Sequence, residues 1–223
     1  MTSRFACRAV LFDLDGTLID SAPDLAGAAN QLREQHDLPP LPLAQLRPWV
    51  GAGARGMLGV ALDVVPGHQQ FEALKERFLA LYEARLLQQT AAFAGVSDLL
   101  QALAQRGLPW GIVTNKAERF TLPIHRGMPV LQQAAAVVAG DTTPKAKPHP
   151  EPLLEAARRL ALQPQDCIYV GDDERDIQAA HAAGMPGVVA RWGYLGTGAV
   201  ESWGAQAVIE HPEELLGFLA PLA

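Results

Sequence analysis

Five short apolar runs constrain this chain more than any other feature, because each closes on a polar residue that an apolar interior cannot hold alone. They are AVLFDLD (9–15), PWGIVTN (109–115), AAVVAGD (135–141), CIYVGDD (167–173) and GVVAR (187–191), with a weaker sixth, AQAVIE (205–210). Consecutive apolar residues suit strands covered on both faces, the condition of a parallel sheet. Helical patterns separate the runs at 95–106, 117–126, 150–161 and 174–183, and another follows at 212–219. This alternation predicts parallel β-α-β units, hence an α/β fold with a doubly wound, Rossmann-like sheet.

The alternation breaks once. From 20 to 90 no convincing strand occurs; the stretch reads PDLAGAANQLREQHDL, ARGMLGVALDVV and QQFEALKERFLALYEARLLQQ. The last places Phe71, Leu74, Phe78, Leu81 and Tyr82 at helical spacing, and Pro39, Pro40 and Pro42 punctuate the region. The expectation is a helical domain, 20–90, inserted into a core built from 1–19 and 91–223.

A chain of 223 residues can bury such a core. Its 49% hydrophobic content is that of a globular protein, and a net charge of −6 with scattered Lys and Arg argues against nucleic acid or an anionic membrane as partner. No apolar stretch is long enough to span a bilayer, and Asp13 and Asp15 cut short the first apolar run, so no signal peptide is read. The expected setting is cytoplasmic, as a monomer or homodimer. Cys7 and Cys167 adjoin apolar runs and read as buried free thiols.

In open parallel sheets, ligands bind outside the carboxyl ends of the strands. The first run ends in Asp13-Leu14-Asp15-Gly16-Thr17, the second in Thr114-Asn115, and the fourth in Gly171-Asp172-Asp173; Lys145 and Lys147 follow the third. Two carboxylates two residues apart lie on the same side of an extended chain. Like charges about 4 Å apart cost on the order of 4 kcal/mol at an effective dielectric near 20, so gathered carboxylates call for a cation. Oxygen donors without clustered His or Cys favour Mg²⁺ over Zn²⁺, and Mg²⁺ accepts phosphate oxygens. A small phosphate ester is therefore the expected partner. Gly16, Thr17, Thr114 and Asn115 are candidate phosphate-binding positions. Asp13 is the candidate nucleophile, Asp15 the candidate proton carrier, and Lys147 is preferred over Lys145 for charge neutralisation. In the glycine-rich VGAGARG (50–56), Arg55 is a candidate for an anionic substrate group, although a flexible turn is an equal reading.

DLDGT (13–17), VTNK (113–116), KPHPEP (147–152) and GDDERDI (171–177) together resemble, in order and spacing, the four motifs of the haloacid dehalogenase superfamily, and within it the phosphoglycolate phosphatase group. The resemblance implies a helical cap at 20–90 and an aspartyl-phosphate on Asp13. It implies Mg²⁺ held by Asp13, the Asp15 backbone carbonyl and Asp172, with Asp173 and Asp176 in supporting positions. Asp173 stands where Ser is common, and Ala94-Gly95-Val96 where the group usually has Pro before Gly-Val. RWGYLGTGAVESWGAQAVIEHPEEL (191–215) and GAGARGML (51–58) are similar to bacterial N-acetylmuramic acid 6-phosphate phosphatases. The expected function is a Mg²⁺-dependent phosphomonoesterase, phosphoglycolate phosphatase-like, with the amino-sugar phosphatase as alternative. A phospho-accepting signalling receiver is the competitor from another class; it would lack the helical insert.

Overall fold

The computed structural model describes residues 5–196 and 198–220. In chain order the elements are β1 (Ala9–Phe12), β2 (Ile19–Asp20), α1 (Ala22–Glu34), α2 (Leu43–Leu46), α3 (Gly53–Leu62), α4 (Phe71–Glu83), β3 (Ala91–Ala92), α5 (Val96–Gln105), β4 (Trp110–Val113), α6 (Glu118–Gly127), β5 (Ala136–Val138), α7 (Glu151–Arg159), β6 (Cys167–Gly171), α8 (Glu174–Ala183), β7 (Gly187–Ala190), β8 (Ala207–Ile209) and α9 (Leu215–Phe218). The chain divides into two compact units, 1–19 with 92–223, and 20–91. The boundary falls inside β2 and β3, a two-stranded pair the sequence did not announce.

The first unit carries the expected doubly wound α/β sheet. Six strands run in the order β5-β4-β1-β6-β7-β8, and every pairing is parallel. Every residue of β1, β4, β6 and β7 is buried, which is why those strands read as unbroken apolar runs. β1 lies between β4 and β6, with Phe12 in register with Ile112 and Val170. The carboxyl ends of the first, second and fourth apolar runs are therefore neighbours. Ala9, Leu11, Val113, Val138, Leu153, Ala156, Tyr169 and Ala180 form one buried cluster. Cys7 and Cys167 are free and buried, as expected, and burial pushes both thiols up to about 11.

Two local features follow from single residues. Gly95 sits at φ +82°, and a Cβ there would lie 2.9 Å from Glu213 Oε2, so this position suits glycine at the start of α5. The helix expected at 212–219 shrinks to a 3₁₀ turn at Pro212–Glu214 and the single turn of α9. The chain then straightens, because Leu219 bridges to Phe5 and Ala220 donates to the Phe5 carbonyl at 2.9 Å.

The second unit is helical. α1 buries Leu25, Ala26, Ala28, Ala29 and Leu32, α3 buries Met57, Leu58 and Ala61, and α4 buries Phe71, Phe78 and Tyr82. Leu74 and Leu81 are half-buried. The carboxylate of Asp24, fully buried on α1, accepts from the backbone N–H groups of Gln89 and Thr90 and from the Thr90 hydroxyl at 2.7–3.1 Å. It ties the two ends of the unit together. Asn30 exchanges two 2.9 Å hydrogen bonds with the backbone of Leu41, fastening the proline-rich loop to α1. Among the described residues no helix is long and apolar enough to cross a membrane.

Candidate active site

Asp13 extends the β1 ladder by one residue, its N–H donating to the Val170 carbonyl at 2.9 Å. Its side chain meets Lys147, whose ammonium is the hub of the site. Lys147 Nζ donates to Asp13 Oδ1 (2.8 Å), Asp176 Oδ1 (2.7 Å), the Tyr169 hydroxyl (2.7 Å) and the Val113 carbonyl (3.0 Å). An ammonium has three protons, so at least one of them is shared between two of these four acceptors. Tyr169 in turn donates to Val113 at 2.8 Å. Lys147 reaches this point from a loop clamped by Asn115, whose side chain donates to the Lys147 carbonyl and accepts from its N–H, both at 2.9 Å. The Lys147–Pro148 peptide bond is cis. Lys145 points elsewhere, to within 3.4 Å of His149.

Asp172 ends the β6 run. It accepts from the Thr17 hydroxyl and from the Tyr194 N–H, each at 2.8 Å. Two glycines make room for it. A Cβ on Gly16 (φ +91°) would stand 2.1 Å from Asp172 Oδ2, and one on Gly193 would stand 2.2 Å from Asp172 Cβ. The RWGYLG loop is thus part of the seat of Asp172, and Trp192 adds a 2.9 Å hydrogen bond from its indole to the Thr17 carbonyl. Asp176 sits in the first turn of α8, where Asp173 is the N-cap: Asp173 accepts from the Arg175 N–H, and its own N–H donates to Asp176 Oδ2 at 3.1 Å. Arg175 also holds the Asp173 carboxylate with two side-chain bonds of 2.7 and 2.8 Å. The carboxylate found where Ser is common is therefore a helix cap with its own counter-charge.

Asp13, Asp172 and Asp176 each offer a carboxylate oxygen within 4.8 Å of the others. Burial pushes Asp13 up to about 7, with Asp176 and Asp15 adding to the rise and Lys147 opposing it. Burial, then Asp13 and Asp176, hold Asp172 well above the carboxylate range. Burial pulls Lys147 down, but Asp13 and Asp176 outweigh it and keep the ammonium protonated. Such a set fits a hard divalent cation: its donors are all oxygen, and they need further positive charge to ionise together.

Not every expected residue has the expected neighbour. Thr114 is buried, and its hydroxyl accepts from the Lys116 N–H at 3.1 Å. The Thr17 hydroxyl donates to Asp172, and the Asn115 side chain bonds the Lys147 backbone. Asp15 pairs with Lys116, whose Nζ stands 2.9 and 3.0 Å from its two carboxylate oxygens. Arg55 is exposed near the start of α3, in the helical unit. Lys116 and Tyr169 were missed by sequence reasoning. Lys116 had a signal: it lies two residues after Thr114, the spacing that had singled out Asp15 after Asp13.

Among known proteins, the haloacid dehalogenase-like hydrolase family model matches residues 10–190. A phosphoglycolate phosphatase from Xanthomonas campestris pv. campestris (strain 8004) is 50% identical over 209 residues, covering 93% of this chain and 94% of that one. The N-acetylmuramic acid 6-phosphate phosphatase of Pseudomonas aeruginosa is 36% identical over 217 residues, covering 97% and 96%. A solved structure from Haemophilus somnus 129pt, described as a predicted phosphoglycolate phosphatase, superposes with a TM-score of 0.84 at 27% identity, covering 95% of this chain and 97% of that one.

Proposed function

Because this chain belongs to the haloacid dehalogenase-like hydrolase family, we propose that it is a phosphomonoesterase acting through an aspartyl-phosphate, with 2-phosphoglycolate as first candidate substrate. The observation that carries this reading is Asp13 itself. Its carboxylate stands at the end of the central strand, 2.8 Å from the Lys147 ammonium and next to Asp172 and Asp176. That is a nucleophile beside the positive charge a phosphoryl group requires.

In the first half-reaction an Asp13 oxygen attacks phosphorus, and the bond from phosphorus to the leaving oxygen breaks. Asp15 delivers a proton to that oxygen, so the alcohol departs neutral. In the second half, water attacks the phosphorus of the acyl-phosphate while Asp15 takes its proton, which releases inorganic phosphate and restores Asp13. Lys147 holds the phosphoryl oxygens, and Tyr169 and Asp176 hold Lys147. The Thr114 hydroxyl is a further donor to the phosphoryl group. Mg²⁺ would be held by Asp13, Asp172 and the Asp15 carbonyl, with Asp176 supporting, and when bound it neutralises charge on the phosphoryl oxygens. The 20–90 insert acts as a cap that excludes water, and Arg55 is its candidate for an anionic substrate group.

N-acetylmuramic acid 6-phosphate is the second reading, supported by the Pseudomonas aeruginosa relative and by the RWGYLG loop against Asp172. Phosphate release from both esters, with and without EDTA, tests the proposal. Expected is EDTA-sensitive turnover that Asp13→Asn abolishes. No release from either ester, or undiminished release by Asp13→Asn, overturns it. A hundredfold preference between the two esters selects the substrate.

A further inference from the structure

The catalytic cycle above assigns no task to Lys116, and its position defines one. We propose that Lys116 is the receptor for a carboxylate carried next to the phosphoester, so that phosphate esters of 2-hydroxycarboxylic acids are the preferred substrate class. The inference rests on the phosphatase reading and deepens it.

Asp15 must come within hydrogen-bond reach of the leaving oxygen to protonate it. Lys116 Nζ lies 2.9 Å from one carboxylate oxygen of Asp15 and 3.0 Å from the other. The ammonium is therefore one hydrogen bond beyond the group that touches the leaving oxygen. The pair is sheltered, with 9% of the Lys116 side chain and 17% of the Asp15 side chain exposed. Charge in such a place is felt more strongly than at the surface.

A carboxylate bound to the carbon that bears the leaving oxygen is two bonds from that oxygen, and so enters the space that the ammonium commands. In a 6-phosphorylated muramic acid the lactyl carboxylate is seven bonds away, across the sugar ring, and does not. Of the other described cations near Asp13, Lys147 is held by Asp13, Asp176, Tyr169 and Val113 and serves the phosphoryl group, and Arg175 grips Asp173 with two side-chain bonds. The Lys116 ammonium, by contrast, is bonded to the carboxylate of the group that serves the leaving oxygen. Five carboxylates, those of Asp13, Asp15, Asp172, Asp173 and Asp176, would repel a second substrate anion that landed elsewhere. Lysine suits the task, because a compact charge on a flexible stem can be shared between two carboxylates.

The test compares 2-phosphoglycolate with ethyl phosphate, which replaces the carboxylate by a methyl group. Wild type, Lys116→Met, Lys116→Arg and Arg55→Ala are assayed for kcat and KM, with thermal melts to check folding. Binding of 2-phosphoglycolate and of inorganic phosphate is measured by calorimetry in Asp13→Asn, with and without Lys116→Met. Wild type should prefer 2-phosphoglycolate, and Lys116→Met should cut that preference by roughly 10–100-fold, the value of a charge-assisted hydrogen bond, chiefly through KM. Lys116→Arg, which keeps the charge, should restore part of it. Binding of 2-phosphoglycolate should weaken by the same factor, and binding of inorganic phosphate by less. An unchanged preference in Lys116→Met overturns the proposal, as does a preference lost in Arg55→Ala instead. Equal loss on both esters makes Lys116 a partner of Asp15 alone and also overturns it. If wild type releases no phosphate from any ester, the phosphatase reading fails, and the calorimetric pair still decides the receptor.

Discussion

Lys147→Met removes one ammonium and leaves its acceptors in place. The side chain is only 3% exposed, and methionine nearly preserves its length, so the loss is electrostatic rather than a cavity. Tyr169 still donates to Val113 at 2.8 Å, so the damage falls on the carboxylates of Asp13 and Asp176, whose side chains are 12% and 2% exposed. Deleting one partner of a buried ion pair costs ~3–5 kcal/mol, because the other charge remains buried. Urea unfolding of metal-free protein at pH 8, followed by circular dichroism, should show a loss of that size. The pH dependence carries a sign. Burial already lifts Asp13 to about 7, and Lys147 is the group that opposes the rise. A carboxyl raised above its unfolded value, about 3.9, contributes stability that is complete below that value and lost as pH rises through the folded one. The gap between variant and wild type should therefore be widest at pH 8 and narrow toward pH 5. Adding Asp176→Asn to the variant should recover part of the loss, since one stranded charge is gone. A gap under about 1 kcal/mol at pH 8, the level of an exposed pair, or one that widens on acidification, would refute the reasoning.

Gly16→Ala should cut kcat/KM by about a hundredfold or more without loss of secondary structure, because a Cβ there would stand 2.1 Å from Asp172 Oδ2 and displace it; retention of activity within a few-fold in a phosphate-release assay would count against this. Asp24→Ala should destabilise the helical unit by at least ~2 kcal/mol, since it strands the N–H groups of Gln89 and Thr90 and the Thr90 hydroxyl. Hydrogen exchange resolved over residues 20–91 would register the change. Metal-free protein should lose stability as pH rises through about 7, where Asp13 ionises. Mg²⁺ at a hundred times its Kd should then add about 2.7 kcal/mol, with a larger rise in melting temperature at pH 8 than at pH 6.

Much of the site could be read along the chain because parallel strands turn a one-dimensional pattern into a shared edge. Asp13, Thr114 and Asp172 each follow an apolar run directly, and once the runs are parallel neighbours their ends must meet. Lys147 was legible through its motif. The partners within the site were not. Thr17 and Asp172 are 155 residues apart and Lys116 and Asp15 are 101 apart. Nothing local says that a threonine after a strand end will bond a carboxylate from another strand rather than a ligand. Asn115 illustrates the same gap, because either a phosphate or a loop backbone could satisfy its amide. Asp173 was expected in a supporting position beside the metal ligands; its role as a helix cap depends on where α8 begins.

From its sequence alone this chain determined its class: buried parallel strands, intervening helices, a helical insert and acidic residues at strand ends. These follow from short-range periodicity and from the cost of burying charge, which act within a few residues. Tertiary structure alone decided that β1 lies between β4 and β6, that Lys147 is shared by Asp13, Asp176 and Tyr169, and that Lys116 stands beside Asp15. Those outcomes depend on strand order and on side chains packing from distant segments, where a displacement of one residue exchanges one face of a strand for the other.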